Sequence, residues 1–284
     1  MVMGRVRNWW NHSKTVAFIW FFSLALFYSL FQMALQNSTS PSSDSGISNN
    51  QRRSIMYDKM ARDLDERGAA FLKHGETSQS LSLSDLFTLK DGSVRPVLKA
   101  VNPPVRANVL YMSTEYSVPI SMFHASHHIA PVPASEVEIE AEVAAVRAVA
   151  EGLCPLEIVL DRVILTSTGV LLGCWQVISG TDPISIRAML RTALPRAPEK
   201  QLYDAAILHT SFARLLGHPK ASLMDPDNTS KQLELFHKLV TQLNNKIHGF
   251  KAVVSQLWYV EEYDVLALAL NGRMKVRRFQ LGCS

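Results

Sequence analysis

Ala205-Ala206-Ile207-Leu208-His209-Thr210-Ser211-Phe212-Ala213-Arg214-Leu215 sets a histidine and a hydroxyl two residues apart inside a strongly apolar run. The run reads as a β-strand, in which alternate residues share a face. Ile207, His209, Ser211 and Ala213 then point one way, and Leu208, Thr210 and Phe212 point the other way, into a core. An imidazole that titrates near neutral pH can take or give a proton, and a neighbouring hydroxyl can hold a phosphoryl oxygen. Cleaving a phosphodiester needs a base on the attacking oxygen and an acid on the leaving one, so a second histidine is expected to face His209.

The composition sets the frame for that search. The chain has 284 residues, of which 47% are hydrophobic and 19% charged, with a formal net charge of +4. This excludes wholesale disorder and leaves room for one substantial domain with appendages. The mildly basic balance fits a phosphate-bearing ligand or an anionic surface and is diagnostic of neither. Cys154, Cys174 and Cys283 are scattered, and form neither a disulfide framework nor a metal-ligand spacing; one disulfide among them is conceivable without being assignable.

Thr15 to Leu35 is a charge-free run rich in Phe and Leu, long enough to cross a bilayer as a helix. Arg5, Arg7 and Lys14 precede it and no basic residue follows before Arg52, so the positive-inside bias predicts a single-pass type II protein of the secretory pathway, in the Golgi, the endoplasmic reticulum or at the cell surface, with its main domain lumenal. A cleaved signal peptide is the rival reading, disfavoured by the length of the run and the lack of a small-x-small site after it. Asn37 and Asn228 begin glycosylation sequons, and Asn228 is expected in a loop.

The expected organisation is a cytosolic tail (1–14), a transmembrane signal anchor (15–35), a flexible stem (36–54), an amphipathic helix and linker (55–80), and a domain over 81–284. The stem is rich in Ser, Asn and Gln and cannot bury enough apolar surface to fold. Met56, Met60 and Leu64 recur at helical spacing after it. Within the domain, Ala107 to Met112 and Ile120 to Ile129 read as strands, and Glu136 to Glu151 as a helix capped by Ser135 and Glu138 and stopped by Gly152. Leu156 to Thr166 and Val170 to Ile178 flank a turn at Ser167-Thr168-Gly169. A helix follows, with Asp182 as cap, Pro183 at its first position and a stripe of Ile186, Met189, Leu190, Ala193 and Leu194. Leu233, Phe236, Val240, Leu243 and Ile247 mark a long helix ending at Gly249, and strands Tyr263 to Leu270 and Arg273 to Leu281 meet at the hairpin signal Asn271-Gly272. An α+β sandwich is the expected class.

A second H-x-[ST] motif, His124-Ala125-Ser126, lies in the strand-like Ser121-Met122-Phe123-His124-Ala125-Ser126-His127-His128-Ile129. Each motif is preceded by a strand and followed by an amphipathic helix, so the domain reads as two lobes. Paired H-x-[ST] strands on such a body resemble the two-histidine phosphoesterases, the superfamily of cyclic nucleotide phosphodiesterase and RNA-ligase-like enzymes, and most nearly a plant branch of membrane-anchored proteins given that family name. The resemblance covers roughly Leu83 to Ser284 and is best in ILHTSFARLLG and WYVEEYDVLALAL. It implies that one histidine acts as base on water and the other as acid on the departing ribose oxygen, that the hydroxyls hold the phosphate, and that neither metal nor cofactor is required.

The first lobe departs from the pattern. Only Ser113 to Pro119 separate Met112 from Ile120, whereas parallel strands need a crossover of a dozen or more residues, so this lobe reads as shortened by a helix. As the resemblance runs, the first-motif histidine sits two residues before the position of Ser121, and Pro119 occupies that place. On a regular strand Pro119, Ser121 and Phe123 share one face while His124, Ser126 and His128 share the other, so His124 replaces the missing histidine only through a register flip or a bulge. The candidate catalytic residues are therefore His209, Ser211, His124 and Ser126, with Ser211 and Ser121 on the phosphate.

Other constellations are weaker. His124, His127 and His128 lack the spacing of zinc ligands. Asp63-Leu64-Asp65 and Asp225-Pro226-Asp227 imitate the metal-binding motif of secretory glycosyltransferases, but read more simply as surface and helix-end carboxylates. Arg273, Lys275 and Arg277 on one face of the last strand suit either a phosphate or a charged sheet edge. Trp258, Tyr259 and Tyr263 suit base stacking or, more simply, a core. The leading expectation is a membrane-anchored enzyme opening a small cyclic nucleotide or 2′,3′-cyclic phosphate by metal-free acid–base catalysis. Its partners would be a small phosphodiester substrate and the membrane, not DNA, and no oligomer signal stands out. The alternative is a non-catalytic relative that keeps the fold as a binding or structural protein.

Overall fold

The computed structural model describes residues 47–67, 83–91, 93–112, 119–215 and 226–282. Helix α1 (Asn49–Arg67) leads into a short helix α2 (Leu83–Leu86) and a small antiparallel hairpin, β1 (Phe87–Lys90) with β2 (Ser93–Pro96). The main sheet contains β3 (Ala100–Met112), β4 (Pro119–His124), β5 (Leu156–Leu165), β6 (Val170–Ser179), β7 (His209–Arg214), β8 (Lys251–Asp264) and β9 (Met274–Gln280). Its order is β4-β3-β8-β5-β6-β7, with β9 also paired to β8, and each of these pairs is antiparallel. Helices α3 (Glu136–Glu151), α4 (Pro183–Ala193) and α5 (Pro226–Ile247) and the short α6 (Ala267–Leu270) complete the set.

The helices start where local chemistry dictates. Ser135 caps α3 with a full capping box: its hydroxyl accepts from the Glu138 amide, and the Glu138 carboxylate accepts from the Ser135 amide at 2.7 Å. Asp182 caps α4 by accepting from the Ile184 amide at 3.0 Å, with Pro183 where no amide hydrogen is needed. Ile139, Val143, Val146 and Ala150 of α3 and Ile186 and Leu190 of α4 are buried in the main core against Leu156, Ile158, Leu160 and Trp175 of the sheet. Helix α1 packs with a second cluster, in which Tyr57 meets Ile164, Val170, Leu172, Cys174 and Ile207.

The structure corrects several expectations. The α+β sheet is one antiparallel path, not two lobes with a shortened first one. β3 and β4 are antiparallel neighbours, which need no crossover helix, so their short connection does not by itself mark a shortened lobe. The expected transmembrane helix and single-pass placement are overturned on one point: among the described residues no helix is long and apolar enough to cross a membrane. Thr15 to Leu35, on which that placement rested, lies outside the described residues, as do the cytosolic tail, most of the stem, and Asn37. Helix α1 begins at Asn49, inside the stretch read as a stem, and belongs to the compact unit Ser48–Ser284. Asn228 falls in the first turn of α5 rather than in a loop.

At the carboxyl end the strand expected over Tyr263 to Leu270 is corrected: the strand is Lys251–Asp264, and Ala267–Leu270 form α6. The Leu268 amide donates to the Glu262 carboxylate at 2.8 Å, which turns the chain out of the sheet, and Asn271 ends α6 in the left-handed region. Cys154 is disulfide-bonded, Cys174 is a buried free thiol, and Cys283 lies outside the described residues.

Candidate functional site

β4 carries a bulge at the place where the missing histidine needed one. Val109 is opposite Ser121 and Asn108 is opposite Phe123, so Met122 is the extra residue. One extra residue reverses the alternation beyond it. His124, opposite Ala107, therefore falls on the same side of the sheet as Ser121, opposite Val109. Ile120 and Phe123 remain in the main core. The strand stops at His124, against the expectation that it runs to Ile129. Beyond it the chain turns: Ala130 donates to the His127 carbonyl and to His127 Nδ1, and Val132 donates to Ser126 Oγ at 2.9 Å.

β7 begins at His209, because Asp204 builds a turn before it by accepting from the amides of Ala206 and Ile207. His209 lies opposite Cys174 and Ser211 opposite Leu172, with a second bulge at Phe212. Thr210 faces inward, where its hydroxyl accepts from Trp175 Nε1 at 3.1 Å, while Ser211 is exposed. The first half of the expected alternation stands in the register; Phe212, expected in the core, is 38% exposed.

β4 and β7 are the outer strands of the sheet path, yet they approach one another. Arg187, on the buried side of α4, ties β4 to the loop that leads into β7. It donates from Nε to the Met122 carbonyl (2.7 Å), from Nη1 to the Ala205 carbonyl (2.6 Å) and from Nη2 to the Ser121 carbonyl (3.4 Å). The guanidinium satisfies carbonyls of β4 and of the loop with charge-assisted bonds.

The two motif histidines meet at Tyr203. Its ring centroid lies 4.9 Å from that of His209 and 6.0 Å from that of His124, and His127 stands edge-on to His124 at 6.0 Å. Gln201 holds the His124 backbone as a strand would: Oε1 accepts from its amide at 2.8 Å and Nε2 donates to its carbonyl at 3.0 Å. His124 is 9% exposed and His209 6% exposed. Nδ1 of His209 and Nη1 of Arg53 are buried without a hydrogen-bond partner.

Both histidines are held neutral. Burial pushes His209 down to about 4, helped by the Arg187 charge. Burial also pushes His124 down to about 4, with His127, His128 and Arg187 adding to it and the Gln201 hydrogen bond opposing. His127 is lowered as well, chiefly by burial. A neutral imidazole can accept a proton, and an anion brought beside these rings would raise their affinity for one.

Among the expected site residues, His124 and His209 thus come together, Ser121 lies on the His124 side of β4, and Ser211 lies on the His209 side of β7. Ser126 does not join them: it is fully buried and its hydroxyl serves the turn to Val132. Arg187, Gln201 and Tyr203 escaped the sequence reading. Arg187 lies beside the apolar stripe of α4 and is buried with Ile186 and Leu190, which the structure shows and the sequence did not.

The other motifs are absorbed by structure. Asp63 accepts from the Ser167 hydroxyl and pairs with Arg67, and Asp65 pairs with His237. Arg273 pairs with Asp264, and Arg277 with Glu261 and Glu140, so two of the three basic residues at this edge are taken up by carboxylates, while Lys275 is exposed. Tyr259 is buried and donates to Glu142, and Trp258 is covered by Arg278. Among the described residues no group of three His, Cys, Asp or Glu is placed to hold a metal ion. No family model matches the chain, and no curated protein matches it.

Proposed function

We propose that this chain is a two-histidine phosphoesterase-like hydrolase that opens a small cyclic phosphodiester, such as a 2′,3′-cyclic nucleotide, with His209 and His124 as its acid–base pair. The observation that carries the reading is the convergence on Tyr203 of two H-x-S segments distant in sequence, made possible by the Met122 bulge. The resemblance drawn from the two motifs points the same way.

In the proposed reaction a water oxygen attacks phosphorus, and its proton passes to one neutral imidazole. The phosphorus–oxygen bond to the ribose breaks, and that oxygen takes a proton from the other imidazole, which the arriving anion has caused to become protonated. Ser211 and Ser121 would offer hydroxyls to the phosphate from the two strands.

A second reading is a non-catalytic relative that binds a phosphate ester without turning it over. It is favoured by the engagement of the Ser126 hydroxyl in a turn and by Pro119 at the place of the first-motif histidine. Incubating the full-length protein with 2′,3′-cyclic AMP and identifying the product separates the two. Ring opening to a monoester supports the enzyme; binding without product supports the relative; neither one removes phosphate esters from consideration.

A further inference from the structure

Residues 194–208 run from α4 to β7 without regular secondary structure and lie along the outer edge of β4. Side chains fasten this loop. Arg191 donates to the carbonyls of Ala197, Pro198 and Glu199, Gln201 pairs with the His124 backbone, and His127 Nε2 lies 3.4 Å from the Lys200 carbonyl. From this loop Tyr203, itself half-buried, places its ring against both motif histidines, which are almost fully covered. His209 Nδ1 is buried with no side chain or backbone group of the described residues bonded to it.

A buried imidazole nitrogen with nothing to bond, next to an aromatic ring carried by an irregular segment, describes a site closed over itself. We propose that the 194–208 loop is a lid, closed in this structure, with Tyr203 as the plug standing where an anionic phosphate ester would sit between His124 and His209. Gln201 is the latch, since it joins the lid to β4 at His124 itself. The identity of the ligand rests on the reading above; the closure does not.

Carbethoxylation by diethyl pyrocarbonate tests it, because the reagent attacks neutral imidazole and both rings are neutral, so their rates report access. The rates at His124 and His209 are mapped by peptide mass spectrometry in the full-length protein, with exposed His237 as the reference. Slow reaction in the wild type, accelerated about tenfold in Tyr203→Ala and in Gln201→Ala at an unchanged His237 rate, supports the lid. Should Tyr203→Ala not fold, Gln201→Ala alone carries the comparison. Wild-type rates equal to that of His237, or no acceleration in a folded variant, overturns it. Protection of the opened variants by inorganic phosphate supports the phosphate site as well. Acceleration without such protection, and without turnover of a cyclic phosphate, leaves the lid standing and removes the phosphate reading.

Discussion

Burial is the main reason that the two motif histidines stay neutral, and the Arg187 charge, held beside β4 and the turn before β7, adds to it. In the unfolded chain they titrate near 6.5, and in the folded one near 4. Between those values the unfolded chain binds protons that the folded protein refuses, so their stabilising effect is full above about pH 6.5 and is lost as the pH falls toward 4. Each contributes up to roughly 3 kcal/mol to that slope, and His127, lowered in the same direction, adds to it. Urea unfolding from about pH 7 to about pH 4 is expected to show declining stability, and the double variant His124→Gln with His209→Gln is expected to flatten the decline. At this scale the sequence disclosed His209 and its strand neighbours, because alternation is a local property. It did not disclose Tyr203 or Gln201, since an irregular loop has no period to read. Nor did it reveal that Arg187 lies inside, because a buried cation is decided by distant carbonyls.

Helix α1 is joined to the sheet at one residue above all. The Tyr57 hydroxyl lies 2.8 Å from the Leu208 carbonyl and 2.9 Å from the Trp175 carbonyl, and accepts from the Leu208 amide at 3.1 Å, one residue before His209. Tyr57→Phe removes those bonds while keeping the ring, and is expected to cost about 1–3 kcal/mol in chemical denaturation. Arg53, fully buried, pairs with Asp182 and donates to Gln176, and the Asn50 side chain donates to the Val177 carbonyl. A chain starting at Ser54 is therefore expected to melt at a lower temperature than one starting at Ser48, a difference that differential scanning calorimetry reads directly. The apolar spacing of Met56, Met60 and Leu64 signalled the helix, but its start was missed because Asn49 to Arg53 are polar and their partners lie across the fold. The capped helices α3 and α4 were legible to within a residue at their starts, since Ser135, Glu138, Asp182 and Pro183 act on their own next turn. The Met122 bulge could be named as a requirement from face parity, but not established, because register depends on the partner strand.

The single antiparallel path corrects the two-lobed reading, and the reason is that strand order and direction are set by long-range pairing. β8 illustrates this: it pairs with β3, β5 and β9, from three parts of the chain. The motif strands end up at opposite ends of the path and yet close together, which is how residues so distant in sequence come to share Tyr203. The Cys154 disulfide adds a covalent tie, and reducing it is expected to lower stability by about 2–4 kcal/mol. Cys174 is expected to resist alkylation until the protein unfolds, because burial pushes its thiol up to about 12. The central claim is that His124 and His209 act as one unit on a cyclic phosphodiester. Turnover of 2′,3′-cyclic AMP by the full-length protein, by His124→Ala, by His209→Ala and by the double variant tests it most directly. The account predicts measurable turnover in the wild type, a loss of about 10²–10⁴-fold in each single variant, and a double variant no worse than the poorer single. Turnover unaffected by either substitution, or none from a folded wild-type protein, would contradict it.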